Sequence, residues 1–246
     1  MPVTVDGASV LITGAGRGLG RVFARTMVEN GAAVVYGGAR DESKVDEPGV
    51  VPVRLDVTKP DEVAEAAAMC GDVDILINNA AVMRKSPLLS APTLDDAREE
   101  METNYFGTAA MCRAFAPVLA RNGGGALVNM LSVVSWFANP FNSSYGASKS
   151  AAWALTNAAR VELRHQGTLV TGVFAGFIDT EMAAAAAVQS KISPESVAEQ
   201  VVAGIEAGRE EVLTDDFTRT VKASLPDDLT LIYSAQQADW DSGVWT

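Results

Sequence analysis

The chain has 246 residues, 48% hydrophobic and 20% charged, enough for one large α/β domain with a sizeable buried core. Its formal net charge of -12 disfavours nucleic acid and anionic membrane surfaces as partners, since both require clustered Lys and Arg. Its two cysteines, Cys70 and Cys112, form no CxxC and no zinc spacing, and no His/Cys/carboxylate cluster suggests a metal. Free thiols in a reducing, cytoplasmic compartment are therefore expected.

The opening "MPVTVDGASVLITGAG" has no basic n-region and only a short apolar run, so no signal peptide is expected. Within it, "SVLIT" (9–13) reads as a strand. "GAGRGLGRVFARTMVEN" (14–30) reads as a glycine turn and a helix that stops at Gly31. Strands follow at 33–38 and 50–57, then a helix at 60–69 with Pro and acids at its start. "VDILINN" (73–79) is a strand, 93–120 a long helix and 125–132 a strand. A helix over 143–164, a strand at 169–175, a helix near 193–207 and a strand at 211–214 complete the pattern. The run "MAAAAAV" (182–188) is too short to span a bilayer and reads as a small-residue helix. The tail 234–246 is polar with two tryptophans and packs either on the domain or on another subunit.

Continuous apolar strands are buried on both faces, as in a parallel sheet. Unbroken β-α alternation indicates a single α/β domain, doubly wound and Rossmann-like, with a mostly parallel central sheet. No stretch of 18 uncharged apolar residues predicts a transmembrane helix.

"TGAGRGLG" (13–20) joins the first strand to the first helix. Gly14, Gly18 and Gly20 have distinct physical uses: a tight turn, close approach of backbone to a pyrophosphate, and close helix–strand packing. The helix N-terminus offers unpaired N–H groups to phosphates. Arg17 and Leu19 lie inside the turn. In "LDV" (55–57), Asp56, beside Val57, either accepts from an adenine amino group or caps the next helix. Asn78, Asn79 and Ala80 end the fourth strand at the expected switch point, where the asparagines either meet a ligand or satisfy loop backbone.

"SSYGASKSAAW" (143–153) puts Tyr145 and Lys149 four residues apart, on one face of the predicted helix. A phenol titrates near ~10, so an adjacent ammonium that favours phenolate would suit it to acid–base work near neutral pH. Taken alone, the pair reads more readily as an interfacial tyrosine and a solvated lysine. The single histidine, His165, has no partner at motif spacing and reads as a helix-end residue.

On these residues the chain resembles the short-chain dehydrogenase/reductase superfamily, from about residue 8 to about 214. The family's T-G-x3-G-x-G is matched by Thr13 to Gly20, its N-N-A-G by Asn78 to Ala80, and its Y-x3-K by Tyr145 and Lys149. Ser132 stands at the catalytic-serine spacing, whereas Ser135 does not. Asn104, in "NYFG", stands in the long helix where the family has its asparagine. Two positions depart: Ala81 replaces the last glycine of N-N-A-G, and Ala175-Gly176 replaces P-G. Ile178 and Thr180 match the segment that meets the nicotinamide.

The resemblance implies an oxidoreductase interconverting a carbonyl and an alcohol. Tyr145 would be the acid and base, and Lys149 would tune it and hold the nicotinamide ribose. Ser132 would hold the substrate oxygen, and Asn104 a water linking Lys149 to solvent. Val82, Met83, Phe177 and Met182, with Trp136, Phe137 and Phe141 of "SWFANPFNSS" (135–144), either wall a substrate pocket or pack in the core. An apolar wall would suit an apolar small molecule. Homo-oligomers paired through the long helices are also implied.

The cofactor is read from the second strand, "VVYGGARD". Positions 36–39 carry no acid for a ribose 2′-OH, and Arg40 stands where the strand ends. With Arg17 it predicts NADP, because arginine meets phosphate bidentately. Asp41, next to Arg40, would either pair with it or turn toward the ribose. The alternatives are an NAD-dependent alcohol dehydrogenase and a non-catalytic dinucleotide-sensing protein.

Overall fold

The structure, a computed structural model, describes residues 3–84, 87, 89–184 and 191–243. Its strands are β1 Ser9–Thr13, β2 Val34–Ala39, β3 Val50–Arg54, β4 Ile75–Asn78, β5 Ala126–Met130, β6 Leu169–Phe174 and β7 Glu211–Leu213. They form one sheet in the order β3-β2-β1-β4-β5-β6-β7, and each pairing is parallel. The order reverses between β1 and β4, which opens a crevice at their C-terminal ends.

Side chains alternate across the sheet, so each strand feeds two cores. Val10 and Ile12 of β1, and Ile75 and Ile77 of β4, join a core with Phe23 and Met27 of α1 (Gly18–Glu29). Val201 and Ile205 of α6 (Pro194–Glu206) complete it. Leu11, Leu76 and Leu127 point the other way. They pack with Val63 of α2 (Pro60–Met69), Phe115 of α4 (Thr108–Arg121) and Ala159 of α5 (Ser143–Leu163). These α/β layers hold the crevice residues on fixed strand ends.

Three stretches differ from the reading of the sequence. The third strand stops at Arg54, not at 57, because Asp56 accepts from Thr58 N–H and Oγ1 and turns the chain into α2. The long helix is α3 (Asp95–Met101) continued into α4 through a π-helical turn, Glu102–Gly107. After β7 the chain forms α7 (Asp216–Ser224), a π-helical turn at Leu229–Tyr233, and α8 (Ser234–Asp241). The tail, expected to pack on the domain or on another subunit, is helical through Asp241, and Trp240 of α8 lies 5.5 Å from the Phe141 ring of the same domain. Residues 185–188 of the alanine run, and Trp245, lie outside the described residues. Among those described, no helix is long and apolar enough to cross a membrane.

Candidate active site

The glycine turn and α1 form one wall of a cleft of about 1100 Å³ at the sheet's C-terminal edge. Gly14 (φ +72°) and Gly18 (φ +52°) adopt left-handed backbone that glycine tolerates. A Cβ at Gly20 would stand 2.1 Å from the Gly14 carbonyl oxygen, so only hydrogen fits where helix meets turn. At Gly18 the nearest atoms are those of Thr180, at 3.9 Å, leaving backbone open to the cleft. The first N–H groups of a 12-residue helix beside bare backbone fit a pyrophosphate. Asn79 holds the turn against β4, its N–H donating to Thr13 Oγ1 (3.0 Å) and its Nδ2 to Thr13 O (2.9 Å). Ala80 N–H donates to the same hydroxyl at 3.0 Å.

Tyr145 and Lys149 stand one turn apart near the start of α5, and both are buried and line the cleft. Lys149 Nζ donates to Met130 O at 2.7 Å and lies 5.8 Å from the Tyr145 ring centroid. Burial draws its ammonium down to about 8. Burial pushes the Tyr145 phenol above its usual value; Ser132 hydrogen bonding pulls it down and the Glu100 charge pushes it up. This reverses the expected downward shift. Lys149 is directed at a carbonyl rather than at the phenol oxygen, and desolvation dominates. Ser132 begins a turn at the end of β5, its Oγ accepting from Val134 N–H at 3.4 Å.

Asn104 sits fully buried in the π-helical turn, a geometry frequent at functional sites. Its Oδ1 accepts from Val82 N–H at 2.8 Å, and its Nδ2 donates to Val82 O and to Ser148 Oγ, each at 2.9 Å. Both amide hydrogens are committed, so this side chain clamps residue 82.

Val57, Val82, Met83, Ile178, Thr180 and Met182 line the cleft. Trp136 and Phe137 do not. Trp136 stacks on Phe174 at 4.1 Å, and Phe137 packs with Val133, Val221 and Ile232, so both belong to the core. Phe141 and Phe177 also lie off the cleft lining, Phe141 against Trp240. Asp56 lines the cleft, but its Oδ1 is committed to Thr58.

Sequence reasoning missed Asp215. Its Oδ2 accepts from Gly176 N–H at 2.8 Å while its Oδ1 caps α7 through Thr218 N–H at 2.7 Å. Burial would raise this carboxyl, but the bonds from Gly176, Thr218 and Thr214 hold it below the usual range. It fixes the 175–180 segment over the cleft. The signal was an N-cap acid followed by apolar residues at 217, 221 and 225.

At the other end of the cleft stand Arg17, Arg40 and Lys44. Lys44 was also missed; it closes a 3₁₀ turn, Glu42–Lys44, just after β2. Asp41 lines the cleft, and it pairs with Lys44 at 4.0 Å rather than with Arg40. Its Oδ1 accepts from Ser43 N–H (3.2 Å) and Oγ (2.6 Å), and these bonds keep its carboxyl low. Arg17 pairs with Glu181 at 3.2 Å, but both are largely exposed, so the pair is weak and exchangeable.

Residues 8–191 match the profile of the short chain dehydrogenases. The chain belongs to the short-chain dehydrogenase family. It is 38% identical to a short chain dehydrogenase from Burkholderia cenocepacia solved in complex with NADP, over 95% of this chain and 98% of that one, with a TM-score of 0.90. A gluconate 5-dehydrogenase from the same organism, in complex with NADP and tartrate, is 26% identical over 88% of this chain and 96% of its own, with a TM-score of 0.79. Dehydrogenase/reductase SDR family member 7B from Bos taurus is 32% identical, covering 88% of this chain and 76% of that protein. The 3-oxoacyl-(acyl-carrier-protein) reductase FabG from Staphylococcus epidermidis is 35% identical, covering 71% and 76%. As a short-chain dehydrogenase this chain is an oxidoreductase, and its glycine cradle and cation cluster fit a dinucleotide with a charged adenosine end.

Proposed function

We propose that this short-chain dehydrogenase is NADP-dependent and interconverts a ketone or aldehyde and an alcohol, with Tyr145 as general acid and base. The reading rests on the buried Tyr145–Lys149 pair in the same cleft as the glycine cradle. Bound NADP(H) would supply or take up a hydride at the substrate carbon. In reduction Tyr145 gives its phenolic proton to the substrate oxygen; in oxidation the phenolate takes it back. A raised phenol keeps the proton in place at neutral pH, ready for donation. Lys149, near 8, still carries charge there and stabilises the phenolate left behind. Ser132 holds the substrate oxygen beside the phenol. Val82, Met83 and Met182 give an apolar small molecule its contact surface.

The preference for NADP is supported by Arg40 and Lys44 on the cleft, where Asp41 is hydrogen-bonded to Ser43, and by the Burkholderia relative's complex. The relatives' names, reductase and dehydrogenase, support the reaction class. We further read the whole chain as one cytoplasmic catalytic domain that works as a homo-oligomer. Exposed Phe106 and Val161 on the long helices would be its contact points.

The test is a panel of ketones, aldehydes and alcohols followed by NADPH absorbance. Turnover with NADPH on carbonyls, or with the oxidised cofactor on alcohols, is expected. Turnover only with NADH would make it an NAD-dependent alcohol dehydrogenase. Tight NADPH binding without turnover across the panel would favour a dinucleotide sensor.

A further inference from the structure

Residues 79–84 leave β4 along the floor of the cleft, and side chains of the α3–α4 helix hold them there. Asn104 takes both backbone groups of Val82. One helical turn earlier, Glu100 Oε1 accepts from Arg84 N–H at 2.6 Å. Four helical residues rise about 6 Å, and two near-extended residues span about 6.6 Å. Helix side chains four residues apart therefore reach backbone N–H groups two residues apart on the segment, which runs in the opposite sense, and Glu100 and Asn104 act as successive rungs.

Glu100 is a costly choice for this rung. It is fully buried, and its Oε2 has no hydrogen-bond partner among the described residues. The nearby guanidinium does not neutralise it by hydrogen bonding: Arg84 turns both Nε and an Nη to Glu99 instead. Among the described residues, Arg84, Asp96 and Glu99 share its surroundings, and Tyr145 stands on α5, the helix packed against α3. A leucine would pack there and leave Arg84 N–H unpaired. A glutamine would satisfy that N–H without charge. What glutamate adds is a negative charge on α3, the helix packed against the one that carries Tyr145.

We propose that Glu100 is a positioning residue of this site: it fixes the 82–84 floor through Arg84 N–H and sets a buried negative charge against the helix that carries Tyr145. The electrostatic half rests on Tyr145 being the acid, since the Glu100 charge raises the phenol's proton affinity and keeps the proton on it. The clamp half is independent of that reading.

Two variants separate the halves. E100Q keeps an acceptor for Arg84 N–H and removes the charge. Its NADPH Kd and substrate KM should stay within about twofold, while the limb of the pH–rate profile that reports the phenol moves down by roughly half a unit to one unit. E100L removes the acceptor, and NADPH Kd, read by fluorescence titration without turnover, should rise about tenfold. An unmoved limb in E100Q, or native NADPH affinity in a folded E100L, overturns the proposal. Should E100L not fold, the E100Q pH profile decides alone. If Tyr145→Phe retains turnover, the acid assignment fails instead, and the clamp is still judged by E100L affinity.

Discussion

Arg40 and Asp41 are neighbours in sequence but serve different structures. Asp41 is held by Ser43 in the turn that ends with Lys44 and stands 4.0 Å from that ammonium, while Arg40 and Lys44 line the cleft as cations. Arg40→Ala should weaken NADPH binding about tenfold, the worth of one charge-assisted hydrogen bond, and leave NADH little changed. Fluorescence titration of both cofactors checks this; equal losses for the two would mean that Arg40 does not read the phosphate. Lys149 carries a second, pH-linked expectation. Its folded value of about 8 lies below the roughly 10.4 of an unfolded lysine, so between these values the unfolded chain holds more protons. The contribution of this group to stability therefore rises with pH across that window, by up to about 3 kcal/mol, against the opposite contribution of the buried thiols Cys70 and Cys112. In Lys149→Met that contribution should vanish, so wild type gains stability relative to the variant as pH rises through the window. Urea unfolding at neutral pH and at pH values inside the window, on wild type and variant, measures it. Parallel pH dependences would contradict the buried-lysine assignment.

At the scale of elements, the join of β1 to α1 is set by close contact. Gly20→Ala would push a Cβ to 2.1 Å from Gly14 O and 2.6 Å from Asn79 Nδ2, so the turn must move. A loss of about 1–3 kcal/mol is expected, together with weaker NADPH binding. Gly71→Ala, whose nearest neighbour would be 3.7 Å away, should stay within about 0.5 kcal/mol. Comparable losses in both variants would mean that glycine content, not contact, governs the turn. The elements that sequence located best, β1, α2 and α5, carry strong apolar runs or clear starts. Those it missed make few core contacts: α7 buries only Thr218 and Val221, and α8 no side chain. Their stability comes from capping and from packing on the 136–141 loop, and hydropathy does not register such contacts.

Across the whole molecule, the strand order places the glycine turn, residues 79–84 and the Tyr145 helix around one crevice. Motif spacing alone made this legible, because fixed strand ends turn sequence order into spatial order. Side-chain commitments were not legible. Asn104 as a clamp, Asp215 as a brace, and Trp136 and Phe137 as core depend on partners 15 or more residues distant, such as Asn104–Ser148 at a separation of 44. The direction of the Tyr145 shift was hidden for the same reason, since burial is a property of the assembled fold. The central claim is that this phenol delivers the substrate's proton. Steady-state reduction of the best carbonyl by NADPH, compared between wild type and Tyr145→Phe, tests it most directly. A fall in kcat of about 10²–10⁴-fold with NADPH Kd unchanged is predicted; near-native kcat in the Phe variant would contradict it.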